Sequence, residues 1–110
     1  MPSVPFKKEK VEEQLLHLAA AYFQQESGKS SLITVTRVIA DDFLKRVKIL
    51  FTVIPDAKEQ EALEFAKRRE IDFKNYAKSK GRVMRVPFIV FDIDRGERNR
   101  QRIDAALKDS

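Results

Sequence analysis

Cysteine and tryptophan are absent from this chain, glycine occurs only three times, and there is a single histidine, His17. Without cysteine there is no disulfide, no thiolate catalysis and no Cys-based zinc site, which suits a reducing compartment. Gly28, Gly81 and Gly96 stand far apart, so no phosphate-cradling loop of the P-loop or dinucleotide kind can be assembled from them. Nucleotide-dependent chemistry is therefore not expected. Long apolar runs are missing too: the richest, Ile49 to Ile54 and Val86 to Ile93, are too short to span a bilayer. Lys7, Lys8 and Lys10 are followed by no apolar stretch of signal-peptide length. The expectation is a soluble, cytoplasmic protein with no membrane association.

Positive charge is what the chain has in excess. Its 22 Lys and Arg against 17 Asp and Glu give a formal charge of +5. That balance favours a polyanion such as nucleic acid or an anionic membrane surface. The 110 residues suffice for one domain spanning 1–110, and a domain of this size buries roughly 65% of its unfolded surface. No long apolar surface stripe demands a dimer, and a monomer is expected.

From Lys7 to Ser27 the residues Val11, Leu15, Leu18 and Tyr22 recur at helical spacing, with Leu16, Ala19 and Phe23 widening the stripe. Gly28 stands where a helix C-cap belongs. Leu32 to Ile39 and Arg46 to Ile54 have the Val, Ile, Thr and Phe content of strands, joined by a turn at Asp41, Asp42 and Phe43. In the second strand Val47, Ile49, Phe51 and Val53 share one face, and Lys48, Leu50, Thr52 and Ile54 the other.

Pro55 stops that strand, and Asp56 with Glu59 has the form of a capping box opening a helix toward Ser79. On one straight helix Ala62, Phe65, Ala66, Phe73, Tyr76 and Ala77 share a face, while Leu63 and Ile71 fall outside it. A break near Arg68 to Ile71 reconciles the two sets. Gly81 closes the segment, Val83 to Asp92 reads as a strand with Pro87 at an edge or bulge, and Glu97 to Lys108 as a short helix. The predicted core comprises Leu15, Leu18, Val35, Val47, Ile49, Phe51, Phe65, Ala66 and Phe91.

Catalytic machinery is not suggested by any constellation. His17 has only Glu13 one turn away on the polar face, with no nucleophile nearby in sequence. Asp41 and Asp42 occupy a turn, where Asp bonds its own backbone. Asp92 and Asp94 close a strand, so no metal site is expected, and no cofactor. An enzyme is not expected.

The cations are better organised. Lys67, Lys74 and Lys78 project within about 40° of one another on a regular helix, away from Phe65, Phe73 and Tyr76. With Arg68, Arg69, Lys80, Arg82 and Arg85 they are expected to form a basic ridge suited to phosphate contacts. Acids are absent between Asn75 and Arg85. The competing account is a solvated helix face with i,i+4 pairs such as Glu70 with Lys74. Arg37, Lys45 and Arg46 are expected as outer contacts, and Arg95, Arg98, Arg100 and Arg102 form a second cluster interrupted by Glu97. Phe51, Phe65, Phe73, Phe88 and Phe91 each fall in apolar stretches and are expected in the core, so shape and phosphate recognition outranks base stacking.

The order helix, strand, strand, helix, helix, strand is that of a type II KH domain. Val11-Glu12-Glu13, Ile33-Thr34-Val35-Thr36-Arg37-Val38 and Val47-Lys48-Ile49 are similar to the ribosome-binding factor A family. So are Ala62-Leu63 with Ala66-Lys67, Val86-Pro87-Phe88 and Arg102-Ile103-Asp104. The resemblance, which spans nearly the whole chain, implies an α+β fold: a three-stranded sheet covered on one face by helices, with a short C-terminal helix. It implies a non-catalytic protein that associates with the small (30S) ribosomal subunit in late maturation and contacts 16S ribosomal RNA. It also implies an interhelical Ala-x-Gly kink in place of the GxxG loop of ordinary KH domains. Here Arg68 stands where that kink has glycine, and a positive φ there costs a non-glycine residue about 1 kcal/mol or more.

Two other functions fit the same residues. One is a general single-stranded RNA binder, and the other a protein-interaction module whose free sheet edge at Val86 to Asp92 accepts a partner strand.

Overall fold

The computed structural model describes residues 4–26, 31–80 and 88–96, of which 4–6 are described by backbone alone. Helix α1 (Val4–Glu26) is followed by strands β1 (Leu32–Ala40) and β2 (Arg46–Ile54) and a 3-10 turn (Asp56–Lys58). Helices α2 (Glu59–Arg68) and α3 (Glu70–Lys80) then lead to strand β3 (Phe88–Ile93). The strands lie in the order β1-β2-β3, with β1 antiparallel and β3 parallel to β2. The expected α+β architecture is what the chain adopts. No helix among the described residues is long and apolar enough to cross a membrane.

Strand alternation decides which face is covered. Val47, Ile49, Phe51 and Val53 of β2 are buried together with Ile89, Phe91 and Ile93 of β3. In β1, Ile33 and Val35 face Val53 and Phe51, and then a bulge between Val35 and Arg37 accommodates Thr36. Beyond it Val38 and Ala40 face Ile49 and Val47. The extra residue resets the period-2 phase, so β1 buries odd positions before the bulge and even ones after it.

An aromatic group fills the space between sheet and helices. Phe23 of α1 meets Phe91 with ring centroids 5.0 Å apart, and Phe73 of α3 meets both Tyr22 and Phe91 at 5.4 Å. Small residues, Ala19, Ala62, Ala66 and Ala77, are buried in the same core. Six of the nine predicted core residues are buried, whereas Leu18, Val35 and Phe65 are only partly so, at the margin of the cluster. The Phe65 ring is instead covered by the guanidinium of Arg69, 4.6 Å from its centroid.

Two local expectations are corrected. Helix α2 is not capped at Asp56: Asp56 opens the preceding 3-10 turn, in which Lys58 N–H donates to Pro55 O at 2.9 Å. The N-cap position is Lys58, which makes no side-chain cap bond. The break between the helices falls at Arg69, inside the expected window, with φ −107° and ψ 10°. It lets Leu63 pack against the core, but Ile71 remains 76% exposed.

Among the described residues, the positive φ is at Leu44 (57°), in the turn where Leu44 N–H donates to Asp41 O at 3.0 Å. Arg68 ends α2 without a left-handed backbone, so no glycine is required there. The expected cap at Gly28, the turn at Gly81, the strand start from Val83 to Pro87 and the helix Glu97 to Lys108 lie outside the described residues.

Candidate nucleic-acid interface

The break at Arg69 governs where the helical cations go. A continuous helix would hold Lys67 in line with Lys74 and Lys78, but α2 and α3 are separate helices. Lys67 turns to the sheet, its Nζ donating to Phe91 O at 3.0 Å and lying 3.8 Å from Glu70 Oε2. Glu70 is drawn to the same place: the Phe91 amide donates to its Oε2 at 3.0 Å. The alternative Glu70–Lys74 pair is accordingly not made. Arg69 also faces inward, over Phe65.

Lys74 and Lys78 lie one turn apart on α3, Lys78 exposed and Lys74 half-buried. Neither has an ion-pair partner among the described residues. Lys80, at the end of α3, is exposed with its ammonium 5.7 Å from the Tyr76 ring centroid. Arg68 is exposed at the end of α2. Arg82 and Arg85 lie outside the described residues, as do Arg98, Arg100 and Arg102.

The expected outer contacts are elsewhere. Arg37 and Arg46 are exposed strand residues that alternate with buried ones, so they project from the sheet face that the helices leave uncovered. Lys45 is exposed in the turn that enters β2. The structure thus divides the predicted set into a helical group (Arg68, Lys74, Lys78, Lys80) and a sheet group (Arg37, Lys45, Arg46), with Lys67 at the sheet edge.

That uncovered face also holds residues that sequence reasoning had not placed in a site. Phe88, expected in the core, is 60% exposed and pairs across the ladder with Arg46, whose guanidinium carbon is 5.9 Å from the ring centroid. Lys48 sits between Ile39 of β1 and Val90 of β3. The period-2 alternation of β2 already assigned Lys48 to this side. For Phe88 the missing information was that it begins β3, one residue out of phase with the buried Ile89.

The acidic residues are engaged locally. Asp41 Oδ1 accepts the amides of Lys45 (2.7 Å) and Arg46 (3.3 Å), and Asp42 pairs with Lys8 at 3.0 Å. Burial opposes ionisation of Asp41, but those two amides and the charge of Lys45 outweigh it and hold its carboxyl below the usual range. Asp92 accepts the Ile93 amide at 2.8 Å and lies 3.4 Å from Arg95. Thr36 Oγ1 donates to Asp94 Oδ2 at 2.6 Å and the Gly96 amide to Asp94 Oδ1 at 3.0 Å, which together depress the Asp94 pKa. Among the described residues no group of three or more carboxylates or histidines converges on a metal-sized space, and His17 is exposed on α1.

The outer edge of β3 is partly closed. Amides of Phe88 and Asp94 donate to Lys45 O and Phe51 O of the β2 side, so the odd-numbered amides of β3 point away from the sheet. Of these, Phe91 N–H is taken by Glu70 and Ile93 N–H by Asp92, and Phe91 O by Lys67. A partner strand would have to displace them.

No protein-family model matches this chain, and no curated protein does. Solved structures do. The crystal structure of ribosome-binding factor A from Thermus thermophilus superposes with a TM-score of 0.71 at 22% identity, covering 81% of this chain and 97% of that one. The solution NMR structure of a candidate ribosome binding factor A from Thermotoga maritima gives 0.69 at 20% identity, covering 87% and 92% respectively. The helix, two strands, broken helix pair and parallel third strand of this chain are therefore the fold of ribosome-binding factor A.

Proposed function

We propose that this chain is a ribosome-binding factor that acts in the cytoplasm as a monomer. It docks without catalysis on the 16S ribosomal RNA of the small ribosomal subunit during that subunit's maturation and RNA processing. The observation that carries the reading is the structural likeness, which extends over nearly the full length of both ribosome-binding factor A structures. A formal charge of +5 supports it, as do Lys74 and Lys78, which have no acidic partner among the described residues. Lys74, Lys78, Lys80 and Arg68 serve as phosphate ligands, with Arg82 and Arg85 following them in sequence. Lys67 contributes less, because leaving Phe91 O without its donor has a cost of about 1 kcal/mol or more.

The test is sedimentation with immature and mature small subunits over a salt series. Enrichment on immature particles is expected, with log K falling by roughly 0.7 to 0.9 per phosphate contact for each log unit of salt. Equal association with mature particles would reject the maturation role, and a flat salt response would reject the phosphate contacts.

A further inference from the structure

The helices cover one side of the sheet and leave the other open, and the open side is not the polar surface that alternation usually gives. Its rows run Arg46–Phe88, then Ile39–Lys48–Val90, then Arg37–Leu50–Asp92. Phe88 is 60% exposed, and Phe43, in the adjoining turn, 80%. Next to Arg46, the ladder partner of Phe88, lies a depression of about 270 Å³ lined by Ile39, Val90, Arg46, Lys48 and the Ala40–Asp41 segment.

We infer that this face is a second RNA contact, on which an unpaired base stacks against Phe88 and Arg46 while Lys48 and Arg37 hold the flanking phosphates. The inference rests on the RNA-binding reading above but places a base-recognising site on the side of the sheet opposite the helices. Charge decides the occupant. Arg46 and Lys48 have no ion-pair partner among the described residues, and the nearby Asp41 carboxylate is committed to two backbone amides. An apolar protein surface laid here would strand both cations away from water, which is costly without a counter-charge. A nucleotide supplies the counter-charge and a flat π-face together: aromatic rings and arginine planes are the usual stacking partners of splayed-out bases. Arg46 approaches the Phe88 ring at 5.9 Å yet leaves most of it accessible, so ring and guanidinium form one platform.

The experiment uses the full chain and a short, unstructured, fluorescently labelled oligoribonucleotide. Anisotropy gives affinity across a salt series, and NMR follows the Phe88 ring protons. Wild-type protein should bind with an upfield shift of those protons. F88L should bind about five- to hundredfold more weakly with an unchanged salt slope, since stacking is lost but no phosphate contact is. F88Y should bind like wild type, and its agreement with F88L in thermal stability would rule out misfolding as the cause. K48A should lower the slope by about one contact.

Wild-type affinity in F88L, or an unmoved Phe88 ring, would overturn the inference and assign the apolar strip to a protein partner. If K74E/K78E then lost binding, the helical reading would survive alone. If instead F88L lost binding and K74E/K78E did not, the sheet site would stand and the helical contacts would fall. Absence of any RNA binding would remove both.

Discussion

Glu70 accepts the amide hydrogen of Phe91 at 3.0 Å, so a side chain from the start of α3 takes the place of a neighbouring strand on the outer edge of β3. Lys67 completes the mimicry by donating to the carbonyl of the same residue. E70A should lower stability by about 1 to 3 kcal/mol, since a half-buried amide loses its acceptor, and E70Q, which retains an oxygen, by less. Urea midpoints measure the difference. The uncovered edge should also promote self-association in E70A, detectable by analytical ultracentrifugation.

Tyr22 ties α1 to α3 by donating to Asp72 Oδ2 at 2.6 Å. Burial and that hydrogen bond push the Tyr22 hydroxyl up to about 12, against the opposing charge of Arg69. The folded state therefore holds this proton more tightly than the unfolded chain does. Its stabilising contribution is complete below pH 10 and lost as pH rises from about 10 to about 12, amounting to about 2 to 3 kcal/mol. Y22F should flatten that alkaline limb in denaturation experiments run from pH 9 to roughly pH 12.

The junction between α2 and α3 gives a direct test of backbone geometry. Arg68 is the last residue of α2, and the break at Arg69 has φ −107°. R68G should therefore destabilise the protein by roughly 0.5 to 1 kcal/mol, through the entropy of glycine in a helix. Stabilisation by R68G, read from thermal melts, would mean that a left-handed conformation is sampled there.

Lys74 and Lys78 are to be tested by charge reversal. Neither has an ion-pair partner among the described residues, so K74E/K78E should leave the melting temperature within a few degrees of wild type. The slope of log K against log salt for small-subunit RNA should fall by roughly 0.7 to 0.9 per removed contact. An unchanged slope would exclude both residues as phosphate ligands.

The order of elements and the boundaries of β2 were legible from period-2 and period-3.6 patterns, because each strand or helix buries one face. The break near Arg69 was legible as well, from the conflict between Leu63 and its neighbours on a straight helix. Less was legible where one residue changes the phase. Thr36 in the β1 bulge obeys no local pattern, and Phe88, outward in phase with Val90 and Asp92, falls in an apolar run whose phase the composition alone does not set. The destination of Lys67 depended on a tertiary event, the passage of β3 alongside α2, which spacing along a helix does not encode. That is why the expected ridge is divided in three dimensions, and why the aromatic residue best placed to meet a base was assigned to the core.

The parallel pairing of β2 with β3 reaches across two helices, and this constrains the order of events during synthesis. A nascent chain can close the β1–β2 hairpin and lay α1 upon it early, but one flank of β2 stays open until Phe88–Ile93 has emerged. Growth to that point precedes cooperative stability, so nascent forms ending between α3 and β3 are the ones expected to need a chaperone's protection.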